Sequence, residues 1–486
     1  MPSQRGEPNA VAVRERRQAD DVADASPPPA GDQLRRPPQP GTASANPLLT
    51  APILPTLIRL SIPNVFAMVA TALVAVAETV YVGLLGLPQL AGIALVFPMV
   101  MLQQMMSAGA MGGGISSAIS RALGAGNTER AEALARHAVV VGLSAGLVFT
   151  VLFLSSGAAI YSLLGGRDAV LDQAIVYSNT VFLGAIFIWL MNTLASILRG
   201  TGNMLVPSYM LLAVAAAQVA LGGVLGLGLG PIPRFGMAGV AMGQVIAYGA
   251  GMIFLAAYLL SGKARIRLRP HGVLRWEMFS DILKVGALAC VSPVQSVLTV
   301  LAMTGFIAGF GAEALAGYGI GARLEFLLVP ITFAIGVSSL PMVGMAMGAG
   351  DAGRARRVAW TSGFLAAGLL GAIGAAVAFK PTIWSTMFTD NAGALSVAHD
   401  YLRAAGPAYA FLGLGLALYF AAMGSGTILG PVLAQTLRLI VIAIGGWWLM
   451  RQGSTVEQFF LVVAASLVAY GLAAAFAVWK IRWQRP

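Results

Sequence analysis

The chain has 486 residues, of which 58% are hydrophobic and 10% are charged, and its formal net charge is +11. Soluble domains are about 45–50% apolar and about 25% charged, so the composition excludes an ordinary soluble protein and predicts one built for lipid. In a membrane protein an excess of Lys and Arg reports orientation, so the positive charge is no evidence for nucleic-acid binding.

The first 50 residues differ from the rest of the chain. They are rich in Pro, Ala, Arg and Asp, contain no apolar run, and carry six Arg and six acidic residues. Such a composition cannot bury enough apolar surface to fold alone, so residues 1–50 are predicted to form a disordered cytoplasmic tail. No apolar segment with a cleavage site follows the Arg cluster, so the tail does not read as a signal peptide.

Twelve apolar segments follow, and each is long enough for a helix that crosses a bilayer, which takes about 20 residues. The fold class predicted from them is an all-α polytopic membrane protein. The expected spans are about 55–85, 92–117, 137–163, 174–197, 205–229, 238–261, 282–309, 317–345, 359–383, 398–422, 432–450 and 458–479.

The loops between these segments alternate in charge. One set of alternate loops and ends holds fifteen Lys and Arg residues, and the other set holds about five. Basic loops stay on the cytoplasmic side, so both termini are predicted to be cytoplasmic. The protein is predicted to be integral to the plasma (inner) membrane.

The chain also repeats itself. "LGAGNTERA" at 123–131 matches "MGAGDAGRA" at 347–355, and "RGTGNMLVP" at 199–207 matches "MGSGTILGP" at 423–431, both with an offset of 224 residues. Each half therefore holds six spans. Because six is even, both halves enter the membrane in the same orientation, as parallel repeats do.

The repeat predicts two lobes with a cleft between them, which suits alternating access. The predicted boundaries are 51–261 for the N-lobe, 262–281 for a basic cytoplasmic linker and 282–486 for the C-lobe.

In order, spacing and duplication, several stretches resemble the multidrug and toxic compound extrusion (MATE) family of secondary transporters. They include "IPNVFAMVATALVAVAETVYVGLLGLPQLAG", "LRGTGNMLVP" and "LAGYGIGARLEFLLVP". The resemblance implies export of small amphiphilic, often cationic compounds, driven by inward flow of H⁺ or Na⁺. No Walker lysine loop, metal-ligand spacing or nucleophile–base motif is found. We therefore expect no enzyme activity, no cofactor and no metal, and we expect a monomer whose partners are its substrates and membrane lipids.

Glu78 is the only charged residue between Leu60 and Ser120. A charge at mid-membrane costs a few kcal/mol, so intramembrane acids usually face a cavity and carry function. The alternative is that Glu78 pairs with a polar neighbour and only fixes helix contacts. The family often has an Asp at this position. It also has an earlier proline, here Pro63, which is a plausible hinge because proline removes a helix hydrogen bond.

The resemblance implies polar partners for Glu78 from the fourth and fifth spans, here Asn192 and Gln218. Gln218 stands where an Asn is often found, and Gly222 stands where some members carry a second Asp. With one acid fewer, a hard cation has fewer oxygen ligands, so H⁺ is favoured over Na⁺ as the coupling ion. Either amide could instead form an ordinary interhelical hydrogen bond.

The second half contains fewer candidate site residues than the first. Its seventh and tenth predicted spans lack the acids that some family members carry there, and Gln295 stands near one of those positions. Gln295 either lines the cleft or packs between helices. Glu325 is expected to have a structural role, and Arg438 is expected to extend towards the membrane surface.

The predicted function is therefore a cation-coupled exporter of amphiphilic compounds. The alternative is a flippase of the same superfamily for a lipid-linked sugar, which would need several cationic residues in its cleft. A receptor or scaffold is disfavoured, because the repeat implies two rocking lobes.

Overall fold

The computed structural model describes residues 47–269, 271–481 and 483. The predicted tail lies outside these residues, except that its last four form the short helix Pro47–Thr50. Within the described residues the regular structure is entirely helical, which confirms the predicted fold class.

Eleven helices are long and apolar enough to cross a membrane, and a bent helix pair makes a twelfth span. We name the spans by their order. They are Ile53–Leu85, Leu87–Gly124, Thr128–Leu163, Asp168–Leu183 with Ala185–Gly200, Leu205–Leu227, Gly236–Leu260, Trp276–Ala308, Ala312–Gly348, Ala352–Phe379, Ala392–Ser425, Leu429–Gln452 and Val456–Trp479. A short helix, Thr382–Ser385, follows the ninth span.

Several helices begin earlier than hydropathy predicts because their first turns are polar and capped. The third span begins at Thr128 and the ninth at Ala352. The side chains of Asn127 and Asp351 accept hydrogen bonds from the backbone N–H groups of Arg130 and Arg354, both at 2.8 Å. Both residues are N-caps, and they stand at equivalent positions of the repeat. The repeated stretches 123–131 and 347–355 therefore each mark the start of a helix.

Replacing either cap by alanine is expected to lower the free energy of unfolding by about 1 kcal/mol. Asn127→Ala and Asp351→Ala should behave alike, because the two caps are equivalent. Thermal unfolding in detergent measures both variants. Wild-type melting temperatures for both would contradict the capping role.

Four spans are interrupted, and the sequence patterns did not predict where. The second span contains a π-helical segment, Met105–Met111, and the fourth bends by 46° beside Gly184. The seventh is interrupted at Cys290, and the tenth contains the 3₁₀ turn Gly406–Ala408. Such irregularities turn side chains out of helical register, and π segments are frequent at functional sites.

Close glycine contacts relate the two halves by an internal two-fold. A Cβ built on Gly124 would lie 2.1 Å from the carbonyl oxygen of Met345, and one on Gly348 would lie 2.1 Å from that of Arg121. Arg121 and Met345 are themselves 224 residues apart. The second and eighth spans therefore cross with each half presenting the same surface, and glycine allows their backbones to touch.

The packing inside each half also repeats. A Cβ on Gly200 would lie 3.0 Å from the carbonyl oxygen of Ser116, and one on Gly424 would lie 2.5 Å from that of Leu340. Both glycines and both carbonyls obey the 224-residue offset. The sequence repeat is thus a repeat of helix packing.

Ion pairs tie the start of the seventh span to the first half. Asp281 pairs with Arg121 at 3.1 Å and with Arg130 at 3.0 Å, and Glu277 pairs with Arg130 at 3.2 Å. These residues lie at the membrane end that carries the basic loops. The seventh span begins at Trp276, so its first turn takes in the end of the predicted linker.

Candidate functional site

The first span buries the lone acid. Glu78 is 8% exposed, and its Oε1 accepts a hydrogen bond from Nε2 of Gln218 in the fifth span at 2.7 Å. Gln218 is equally buried, at 7% exposed. An ionised carboxylate can accept about four hydrogen bonds, and this is the one that the described residues provide. The carboxylate therefore keeps acceptor capacity for a further donor or cation.

Gly222 explains why no second acid stands beside this pair. A Cβ on Gly222 would lie 2.8 Å from the hydroxyl oxygen of Tyr81. Tyr81 is 7% exposed, and its hydroxyl is buried with no hydrogen-bond partner among the described residues. The tyrosine occupies the space that an aspartate side chain at 222 would need.

Three tyrosines surround Glu78 closely enough to interact with it electrostatically: Tyr81, Tyr177 and Tyr248. All three are buried. They were not among the site residues predicted from the sequence. Tyr81 follows Glu78 by three residues and so lies on the same helix face, which the sequence could have indicated. Tyr177 and Tyr248 come from the fourth and sixth spans, and only packing reveals their proximity.

Asn192 lies in a neighbouring polar network. Its Nδ2 donates to Oε1 of Gln104 at 3.0 Å and to Oγ of Ser107 at 2.9 Å. Gln104 in turn donates to the hydroxyl of Tyr248 at 2.5 Å. Asn192 is thus connected to the surroundings of Glu78 through Gln104 and Tyr248. Ser107, its other partner, belongs to the π-helical segment of the second span.

Gln295 joins the seventh and eleventh spans. Its Nε2 donates to Oγ1 of Thr436 at 2.6 Å, and its Oε1 is buried with no hydrogen-bond partner among the described residues. The amide group of Gln295 therefore links two helices through its nitrogen and keeps its oxygen available as an acceptor.

The first span is helical through Pro63, and the residue that follows connects the two halves. Asn64 accepts a hydrogen bond from Ser208 of the fifth span at 2.9 Å and donates to Ser338 of the eighth span at 3.1 Å. All three side chains are buried. One amide beside the predicted hinge therefore bonds both within its own half and across to the other.

In the alternating access that the repeat predicts, contacts inside each half persist and contacts between the halves break. Ser338→Ala removes the contact across the halves and is expected to shift the conformational equilibrium by about 1 kcal/mol, the typical value of a hydrogen bond. Ser208→Ala is the matched control, because it removes the contact within the first half. Electron spin-resonance distances between labels on the two halves measure the shift, and an equal shift for both variants would contradict this assignment.

Apolar spans in two equivalent halves, with a buried carboxylate in the first, are the architecture of a multi-pass membrane transporter. The MatE family model matches residues 63–224 and 289–448, once in each half. The chain belongs to the MatE family.

Individual relatives agree with this assignment. The FAD transporter of Shewanella oneidensis is 27% identical over 328 residues, which cover 64% of this chain and 69% of that protein. The probable multidrug resistance protein YoeA of Bacillus subtilis is 26% identical over 355 residues, covering 71% and 76%. The probable multidrug resistance protein NorM of Thermotoga maritima is 24% identical over 383 residues, covering 78% and 81%.

Solved structures share the fold. A MOP superfamily transporter from Pyrococcus furiosus superposes with a TM-score of 0.80 at 21% identity, covering 89% of this chain and 96% of that chain. The Vibrio cholerae MATE transporter VcmN in its bent form superposes with a TM-score of 0.79 at 20% identity, covering 88% and 96%.

Proposed function

We propose that this protein exports small amphiphilic organic compounds, mainly cationic ones, in exchange for an inward-moving cation. The observation that carries the proposal is the Glu78 carboxylate, buried with Gln218 in the first half. A buried carboxylate attracts either a proton or a cationic substrate. Because the two compete for one group, uptake of a proton favours release of the substrate, which is the requirement for exchange. The names of the relatives YoeA and NorM, both probable multidrug resistance proteins, support this substrate class.

We propose H⁺ rather than Na⁺ as the coupling ion. Hard cations need several oxygen ligands. Within the described residues the first-half site offers one carboxylate, and Tyr81 fills the place of a second one beside Gly222. A proton needs only the carboxylate.

We further propose that the protein works as a monomer in the plasma (inner) membrane, surrounded by lipid, with both termini in the cytoplasm. The loops rich in Lys and Arg are the support for this orientation. Labelling of single cysteines placed in the loops at 125–127 and 231–233 tests it, because the two loops should be accessible from opposite sides.

The experiment that tests the function is transport in vesicles. Purified protein is reconstituted into liposomes, and H⁺ and Na⁺ gradients are imposed separately while the flux of a cationic dye, the ethyl ester of rhodamine B, is measured. We expect flux with the H⁺ gradient and background flux with the Na⁺ gradient. Flux driven by Na⁺ alone would reject H⁺ coupling, and the absence of flux under either gradient would reject the export proposal.

A further inference from the structure

A second ionic cluster lies inside the second half. Arg438 of the eleventh span pairs through Nη2 with Oε2 of Glu325 of the eighth span at 3.3 Å, and the two side chains are 12% and 17% exposed. The hydroxyl of Tyr401, from the tenth span, donates to the other carboxylate oxygen of Glu325. The prediction that Arg438 extends towards the membrane surface is wrong, because its guanidinium turns into the helix bundle.

The internal repeat relates this cluster to the Glu78 site of the first half. Tyr401 and Tyr177 are 224 residues apart, and each lies beside a carboxylate: Tyr177 near Glu78 and Tyr401 on Glu325. The Glu325 cluster therefore lies beside the second-half counterpart of Tyr177, although Glu325 itself corresponds to Met101 of the second span and not to Glu78. The chemistry differs, because the second-half site contains an arginine.

The groups around the pair come from the seventh, eighth, tenth and twelfth spans. Tyr318 of the eighth, Tyr409 of the tenth and Tyr470 of the twelfth interact electrostatically with it, and Thr304 of the seventh bonds Tyr318. Tyrosine and threonine side chains are neutral at physiological pH. The ion pair thus sits among neutral hydroxyl groups, which can donate hydrogen bonds to an anion.

The guanidinium of Arg438 is bonded far below its capacity. It has five N–H donors, and the described residues provide one hydrogen bond, to Glu325. Its Nε is buried without a hydrogen-bond partner among the described residues. Leaving such a donor unsatisfied is unfavourable. Donors left free around a fixed cation are what an anionic ligand group needs.

We propose that Arg438 binds an anionic group of the substrate, of the carboxylate type, and that Glu325 and Tyr401 hold its guanidinium in position. This inference rests on the proposed function and narrows its substrate class. Glu78 in the first half takes a cationic group, and Arg438 in the second takes an anionic one. The preferred substrates are then amphiphiles that carry both charges.

Two dyes that differ in one group test this subsite. Rhodamine B has a free carboxylate beside its cationic ring system, and its ethyl ester has the same ring system with the carboxylate masked. We expect purified wild-type protein to bind the free acid at least about tenfold more tightly, as measured by fluorescence anisotropy, because the carboxylate forms a charge-assisted hydrogen bond with Arg438. Arg438→Gln should bind the two dyes equally.

Two further variants keep the test decisive. Arg438→Gln leaves the Glu325 carboxylate buried and unpaired, which is strongly destabilising. The double variant Glu325→Gln with Arg438→Gln removes both charges and should also bind the two dyes equally. Arg451→Gln is the matched control from the same span, because Arg451 stacks on Trp447 at the far end of the helix. It should keep the wild-type preference.

Equal affinity of the wild-type protein for both dyes, or an unchanged preference in Arg438→Gln, would overturn the subsite. A failure of the proposed function would give a different experimental result from a failure of the subsite. If the wild-type protein prefers the free acid but transports neither dye under any gradient, export is wrong and the subsite stands. If it transports both dyes without preference, export stands and the subsite is wrong.

Discussion

Glu78→Gln is expected to abolish export driven by a pH gradient while the protein still folds. The amide has the size of the carboxyl group and can still form a hydrogen bond with Gln218, so the contact between the first and fifth spans survives. An amide does not take up a proton at physiological pH, so the competition between proton and substrate is lost. Dye flux in liposomes with an imposed H⁺ gradient should fall to that of protein-free liposomes, and the melting temperature in detergent should stay close to the wild-type value.

The control for this prediction is Glu457→Gln, the same change at an exposed acid at the start of the twelfth span. It should transport like the wild type. Export by Glu78→Gln at the wild-type rate under the same H⁺ gradient would remove Glu78 from the coupling mechanism. Melting far below the wild-type temperature would instead support the alternative that Glu78 only holds helices together.

Gly124→Val is expected to disrupt the contact between the halves strongly. The new Cβ would lie 2.1 Å from the carbonyl oxygen of Met345 and 2.7 Å from its Cα. These are backbone atoms, which cannot move aside as a side-chain end can. The second and eighth spans must therefore separate, and we expect a loss of at least about 3 kcal/mol, at the upper end of ordinary overpacking. Transport should be lost because the halves can no longer close on this side.

Gly83→Val is the matched control, since a Cβ on Gly83 meets no atom within 4 Å. It makes the same side-chain change as Gly124→Val without the clash. Gly348→Val should reproduce Gly124→Val, because the internal two-fold places its Cβ 2.1 Å from the carbonyl oxygen of Arg121. Thermal unfolding and dye flux measure all three variants. Equal stability of Gly124→Val and Gly83→Val would mean that the close helix crossing is not needed.

The candidate site was only partly predictable from the sequence. The family resemblance implies Gln218 and Asn192 as partners of Glu78. The structure brings Gln218 into direct contact but places Asn192 on Gln104 and Ser107. The fourth span bends by 46° between the tyrosine that approaches Glu78, Tyr177, and Asn192. A hydropathy pattern contains no information on such a bend, and so it cannot say which face of the span meets which neighbour.

The sequence by itself determined the class of the protein, its approximate spans, its repeat and the lone acid inside its predicted first-half spans. Apolar runs must become helices in lipid because backbone groups have no water to bond there, and a duplicated sequence folds into duplicated packing. Only the tertiary structure decided that Tyr81 fills the space beside Gly222 and that Arg438 turns inward to Glu325. These contacts join spans far apart in the chain, and they depend on how each helix is rotated and where it bends. Rotation and bending are set by packing between helices, which no single span encodes.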